Sequence, residues 1–150
     1  MTREEKCKLA IQRGYTYNHE TGLIYNRYGK ITKWTRQGYI CLSLVINKKT
    51  QVLSAHQFAW YCFYENCNTE QIDHINGVRT DNRICNLRPV TNQQNQWNRT
   101  AAKGYYWNKK INRWQSQIKI NNKAIHLGLF NTEQEARNAY LAAKEKYHKI

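Results

Sequence analysis

Proline is almost missing from this chain. A single proline stands among 150 residues, which argues against an unstructured linker. Acidic residues are scarce too: 10 Asp and Glu face 24 Lys and Arg, for a formal charge of +14. Long hydrophobic runs are lacking. The longest largely apolar stretch is Ile40–Ile46, far short of the roughly 20 residues that a membrane helix needs, so no membrane partner is expected. The N-terminus, Met1-Thr-Arg-Glu-Glu-Lys6, has no apolar core. A secretory signal is therefore not expected, and a cytoplasmic location is.

Paired cysteines are lacking as well. Cys7, Cys41, Cys62, Cys67 and Cys85 make an odd count, and none has C-x-x-C spacing. A disulfide framework favours even counts and a zinc knuckle favours closely paired thiols. Free thiols in a reducing compartment are expected. A structural zinc protein built on Cys62, Cys67 and nearby histidines is the competing reading.

What is present points to a folded, basic protein. The composition is 41% hydrophobic and 13% aromatic, with 11 Tyr and 5 Trp, too apolar for a disordered tail. Positive charge is spread along the chain. Residues 1–100 hold 14 bases and 7 acids, and residues 101–150 hold 10 bases and 3 acids. No acid occurs from Thr21 to Tyr64 or from Asn82 to Thr132. These stretches mix Lys and Arg with aromatics, and the chain carries 17 Asn and 11 Gln. Lys and Arg neutralise phosphates, while Asn, Gln and Arg read base edges. The charge is not concentrated on one amphipathic helix, so nucleic acid fits better than a membrane surface.

Local patterns place the elements. Thr2…Glu5, Ser54…Gln57, Thr91…Gln94 and Thr132…Glu135 are capping-box spacings that open helices. The first helix should run to about Arg13 and stop at Gly14. Short aromatic and β-branched runs at 15–17, 22–25, 38–46 and 50–53 read as strands, with a turn at Asn47-Lys48-Lys49. Ala55, Phe58, Ala59, Cys62 and Phe63 give a helix one apolar face. From Glu70 to Asn98 the order is strand, loop, strand, helix, with Asn76-Gly77 as a hairpin-turn signal. Lys103-Gly104 reads as a hinge. Beyond it, Trp114, Ser116, Ile118 and Ile120 alternate with Arg113, Gln115, Gln117 and Lys119, the mark of a half-buried antiparallel strand. Asn121-Asn122 is the next turn. A final helix carries Ala136, Ala139, Tyr140, Ala143 and Tyr147 on its apolar stripe. The fold class expected is α+β: a β-rich N-terminal region, a central ββα motif, and a C-terminal three-stranded sheet plus helix.

Residues 72–95 hold the chemistry. Asp73 and Asn95 offer oxygens to a hard cation, and His74 supplies a titrating nitrogen beside them. Phosphodiester hydrolysis needs those parts: a metal that polarises the phosphate and a base that activates water. Asn82 and Arg83 either contact phosphate or shape the loop. His19, His56, His126 and His148 read as structural or surface residues, with His56 the only one of them near the site.

This stretch resembles the HNH endonuclease family, most closely its phage and intron-encoded homing enzymes. The matching residues are Asp73-His74, Asn76-Gly77, Asp81-Asn82-Arg83, Asn86-Leu87-Arg88, Val90-Thr91 and Asn95. The resemblance implies a ββα-metal (His-Me finger) core at about 70–98 inside a nuclease domain of 1–100, in a phage-encoded protein. It assigns His74 as general base and Asp73 as metal ligand. Asn86 completes the catalytic set by holding the loop. Asn95 stands where many members carry a second metal-binding histidine, so the shell becomes all oxygen and Mg²⁺ or Mn²⁺ is implied. It also implies 5′-phosphate and 3′-hydroxyl ends.

Residues 104–150 resemble the Apetala/ethylene-response-factor DNA-binding domain through Trp114, Leu127-Gly128, Phe130, Glu135-Ala136 and Ala139-Tyr140. That resemblance implies a sheet laid in the major groove of double-stranded DNA, with Tyr106, Asn108, Lys110, Arg113, Gln115, Gln117 and Lys119 facing it; Arg83 is a further DNA contact. One active centre per chain makes a nick by a monomer the default. A DNA-binding regulator with an inactive nuclease centre is the alternative.

Overall fold

The computed structural model describes residues 1–97 and 103–149. The chain is α+β and divides into two compact units, Met1–Val90 and Thr91–Ile150. Among the described residues no helix is long and apolar enough to cross a membrane.

The first unit opens with α1 (Arg3–Gln12), held at its start by the reciprocal Thr2–Glu5 capping box. Gly14, at φ +79, turns the chain out of it. A short antiparallel pair follows, β1 (Thr16–Tyr17) and β2 (Ile24–Tyr25). Next comes the antiparallel sheet β3 (Thr35–Arg36), β4 (Tyr39–Ile46) and β5 (Lys49–Ser54). Asn47 and Lys48 make the β4–β5 turn with φ of 46° and 63°, the primed-turn conformation that matches strand twist.

The helix α2 (Ala55–Tyr64) departs from expectation in two ways. Ser54 makes no side-chain cap bond; it is also the last residue of β5, where it pairs with Cys41. The apolar stripe is also wider and rotated. Ala55, Phe58 and Tyr61 join a core with Cys7, Leu42, Leu44 and Leu53, while Ala59 and Trp60 join a second one with Ile72 and Leu87. Phe63, assigned to the stripe, is 47% exposed. The helix is packed on two sides, which a single-stripe pattern does not anticipate. Each fully buried side chain here, such as Phe58 or Leu42, contributes roughly 1.5–3 kcal/mol.

The unit ends with the antiparallel pair β6 (Gln71–His74) and β7 (Leu87–Val90), in which Asp73 lies opposite Arg88 and His74 opposite Leu87. Residues 75–86 form the connection, closed by a 3₁₀ turn at Ile84–Asn86. Asn76-Gly77 therefore does not close a two-residue hairpin. It makes a local turn at the start of a long loop, with the Gly77 N–H donating to His74 O.

The second unit begins with α3 (Asn92–Trp97), where Thr91 and Gln94 bond reciprocally. Its antiparallel sheet is β8 (Tyr105–Asn108), β9 (Arg113–Ile120) and β10 (Lys123–Phe130), with β9 central. The helix α4 (Glu133–Tyr147) starts at the Thr132–Glu135 capping box and packs Tyr140 and Ala143 against Ile118. Asn121 and Asn122 form the predicted turn, again with positive φ. Gly104, expected as a hinge, is fixed instead. Its carbonyl accepts from the Gln117 N–H at 2.7 Å, and a Cβ there would meet the Tyr140 ring at 2.0 Å.

Candidate active site

The site is built around the end of β6. Side chains alternate across a strand, and here Ile72 and His74 are buried while Gln71 and Asp73 are half-buried. His74 is 3% exposed. Its Nε2 lies 3.0 Å from Asn82 Oδ1. An amide oxygen only accepts, so this contact puts the proton on Nε2 and leaves the lone pair on Nδ1. Two rings from other elements pack on the imidazole. His56, from the first turn of α2, meets it edge-on at 5.2 Å between centroids, and Tyr39, from the start of β4, lies at 5.9 Å. Arg79 sits over the Tyr39 ring at 5.0 Å and donates to Gln37 O.

The loop that carries Asn82 is tied down at several points. Asn86 Nδ2 donates to Asn76 Oδ1 and to Asp81 O, at 3.0 and 2.8 Å, while Asn86 Oδ1 accepts from the Asn76 N–H at 3.0 Å. The β1–β2 hairpin clamps the same loop from outside. Tyr17 Oη donates to Asn82 O at 2.7 Å, and the Ile84 N–H donates to His19 O. Burial pushes the Tyr17 phenol up, so the hydroxyl keeps its proton. Gly22 allows the approach: its φ is +73, and a Cβ would stand 2.5 Å from Arg83 N.

Asp73 belongs to the other face of β6. Its Oδ2 accepts from Arg88 Nε and Nη2 at 3.1 and 2.9 Å. Arg83, expected to contact DNA, turns back on Asp81, with Nε and Nη2 at 2.8 and 2.6 Å from the two carboxylate oxygens. That guanidinium holds the Asp81 carboxyl well below the ordinary carboxylate range. Asn95 lies in α3, in the second unit. Among the described residues no group of three or more His, Cys, Asp or Glu side chains is placed to hold a metal ion. That leaves the structural zinc reading without a ligand set among them, and the five cysteines are free thiols.

In the second unit, the cross-strand pairs Tyr106–Gln115, Asn108–Arg113, Gln117–His126 and Lys119–Ala124 put Tyr106, Asn108, Arg113, Gln115, Gln117 and Lys119 on one face of the sheet. Ser116 and Ile118 are buried on the other. Asn108 Nδ2 donates to Gln115 Oε1 at 3.0 Å, and Asn108 Oδ1 accepts from the Lys110 N–H, so the amide braces both strand and turn. Lys110 is exposed in that turn. His126 joins the polar face, with Nδ1 3.5 Å from Gln115 Nε2.

Sequence reasoning put His56 near the site without naming its contact with His74, missed Tyr39 as a neighbour of that ring, and left the role of Asn82 open. For His56 the only signal was its place one residue into a helix that leads toward the motif. Its environment has a measurable consequence. Burial, with lesser contributions from His74 and Arg3, pushes His56 down to about 3 from 6.5. Between those values the unfolded chain binds a proton that the folded one does not, so stability rises with pH across that window. Acidifying from about pH 6.5 should destabilise the first unit by up to about 1.4 kcal/mol per pH unit from this group. His56→Phe should flatten the slope of the urea midpoint between pH 7 and pH 5. An unchanged slope would refute the assignment.

No curated protein matches the chain. A solved structure concerned with DNA binding and cleavage by the HNH homing endonuclease I-HmuI is similar at 20% identity and a TM-score of 0.46, covering 88% of this chain and 80% of that one. The stretch that carries α2, β6, the pinned loop, β7 and α3 is the one that matches the HNH endonuclease family, over residues 54–97.

Proposed function

We propose that the protein is a metal-dependent DNA endonuclease of the HNH type that hydrolyses a phosphodiester bond. The observation that carries this reading is the setting of His74: a buried imidazole with its Nε2 held by Asn82, in a loop locked by Asn86, within the stretch that matches the family. An imidazole fixed in one tautomer is ready to take a proton from water through Nδ1.

Asp73 would bring a carboxylate oxygen and Asn95 an amide oxygen, each a donor type that suits a hard divalent cation, Mg²⁺ or Mn²⁺. Arg88 competes for the carboxylate, so it would share Asp73 with the ion or release it. A bound cation would supply stabilisation of charge on the phosphate and on the leaving oxygen. Asn86 and Asn76 hold the loop, and Asn82 orients the base. The polar face of β8–β10, with Tyr106, Asn108, Arg113, Gln115, Gln117 and Lys119 and the nearby Lys110, is a surface for double-stranded DNA, in the manner of Apetala/ethylene-response-factor sheets.

The test is incubation of the purified chain with supercoiled plasmid and with phage or host-type genomic DNA, with Mg²⁺, Mn²⁺ or EDTA. The expected outcome is nicked product with either metal and none with EDTA, with 5′-phosphate and 3′-hydroxyl ends on sequencing. Tight binding without cleavage under any metal would favour the regulator reading. The Asp73–Arg88 ion pair is the feature consistent with that alternative.

A further inference from the structure

A concavity separate from the His74 centre lies in the first unit. It is a cavity of about 330 Å³ lined by Arg13, Tyr15, Asn26, Arg27, Tyr28 and Ser43. None of these residues takes part in the contacts around His74. The backbone builds this cavity. Arg13 caps α1, and the absent side chain of Gly14 lets the chain approach the turn at 26–30, where a Cβ would stand 2.9 Å from Arg27 Cβ. Two guanidinium groups are thereby brought to one cavity. The turn itself is rigid, because Asn26 Oδ1 accepts from the Tyr28 and Lys30 N–H groups at 2.9 and 3.1 Å.

The chemistry of the lining is one-sided. No carboxylate contributes, and the surrounding sequence has no acid from Thr21 to Tyr64. Among the described residues neither Arg13 nor Arg27 is in an ion pair. Arg13 donates through Nη2 to Val45 O, and Arg27 through Nη2 to Tyr28 Oη, which leaves further N–H donors on each fork. Asn26 has used its oxygen and keeps its Nδ2 donors, while Ser43 and the tyrosines add hydroxyls. A cavity of donors with two unneutralised guanidinium groups recognises a phosphate ester. Tyr28, 69% exposed with Arg27 lying over its ring at 4.6 Å, adds an aromatic face against which a base or sugar can stack.

We infer that the Arg13–Arg27 cavity is a phosphate-binding subsite that holds the backbone of a bound DNA strand, separate from the centre that cuts it. This rests on the reading that the protein binds DNA. The site gives the nuclease unit its own grip on the substrate, independent of the C-terminal sheet.

Duplex binding to the full chain in EDTA, measured from low to high salt, tests it. Removing one cation that neutralises a phosphate should make the slope of log affinity against log salt shallower by about one. Arg27→Gln and the pair Arg13→Gln/Arg27→Gln should show this, with Arg27→Lys retaining most of the wild-type slope. Lys48→Gln, an exposed charge in the β4–β5 turn, serves as the control for general charge loss. Equal slopes for Arg27→Gln and Lys48→Gln would overturn the subsite. A second arm follows the backbone amide resonances of Asn26, Arg27 and Tyr28. They should move on adding duplex. Movement with inorganic phosphate but not with duplex would mean a small-anion site and would also overturn it. A wild-type chain with no affinity for any duplex would instead remove the DNA reading itself, a result distinct from a binding chain whose slope ignores Arg27.

Discussion

His74→Ala is expected to lower Mg²⁺-dependent nicking by about 10²- to 10⁴-fold, the usual contribution of a positioned general base, with duplex affinity unchanged. The expectation rests on where the imidazole sits. Nε2 is engaged by Asn82 Oδ1 at 3.0 Å, so only Nδ1 has a free lone pair. His56 and Tyr39 flank the ring and fix its plane. His56 itself is kept neutral near pH 7 by burial, so it places no second positive charge beside His74 when that residue takes a proton. Asn82→Ala should then give a smaller loss than His74→Ala, because it frees the tautomer and leaves the base in place. Asn82→Asp tests the same bond differently: a carboxylate still accepts from Nε2–H and favours the imidazolium, which should move the pH profile of nicking toward higher pH. Nicking by His74→Ala at the wild-type rate would remove the general-base assignment, whatever the stability of the variant.

Much of this arrangement could be read in advance, and what could not shares a physical cause. The capping boxes at Thr2, Thr91 and Thr132, the Asn47-Lys48 and Asn121-Asn122 turns and the alternation of β9 all depend on residues within a few positions of one another, and they formed as read. The features missed depend on separate segments meeting. Tyr39 comes from β4 and reaches His74 only through tertiary packing, as does the ring contact of His56, whose nearness to the site was legible but whose partner was not. Phe63 is exposed because α2 is wedged between two cores, so helical period alone mislocates its buried face. The Asp73–Arg88 pair is a register effect. Once His74 lies opposite Leu87, Asp73 must face Arg88, but nothing local sets that register, since Asn76-Gly77 does not close the hairpin.

Asn86→Ala should destabilise the first unit by about 2–4 kcal/mol and depress nicking as well, a pattern that separates it from His74→Ala. Asn86 is 6% exposed, and its amide makes three hydrogen bonds, two as donor and one as acceptor. Alanine leaves the Asn76 N–H and the Asp81 carbonyl without those partners, and each unsatisfied buried group costs about 1–3 kcal/mol. Water can reach part of the exposed Asn76 end, which places the expected loss below the sum of three full penalties. For a unit of about 90 residues, each kcal/mol lowers Tm by roughly 4–8 °C. The catalytic effect follows from the loop rather than from contact with substrate. Asp81 and Asn82 are neighbours, so releasing the Asp81 carbonyl also loosens the amide that orients His74. Asn86→Asp supplies the internal control, since its oxygen still accepts from the Asn76 N–H but it cannot donate to Asp81 O or Asn76 Oδ1. Its carboxylate oxygen would face Asp81 O and Asn76 Oδ1 in a buried place, so its stability should fall to that of alanine or below, with nicking following the same order. If Asn86→Ala unfolds at the wild-type temperature, the loop does not depend on this amide, and His74 must be held in place by something else.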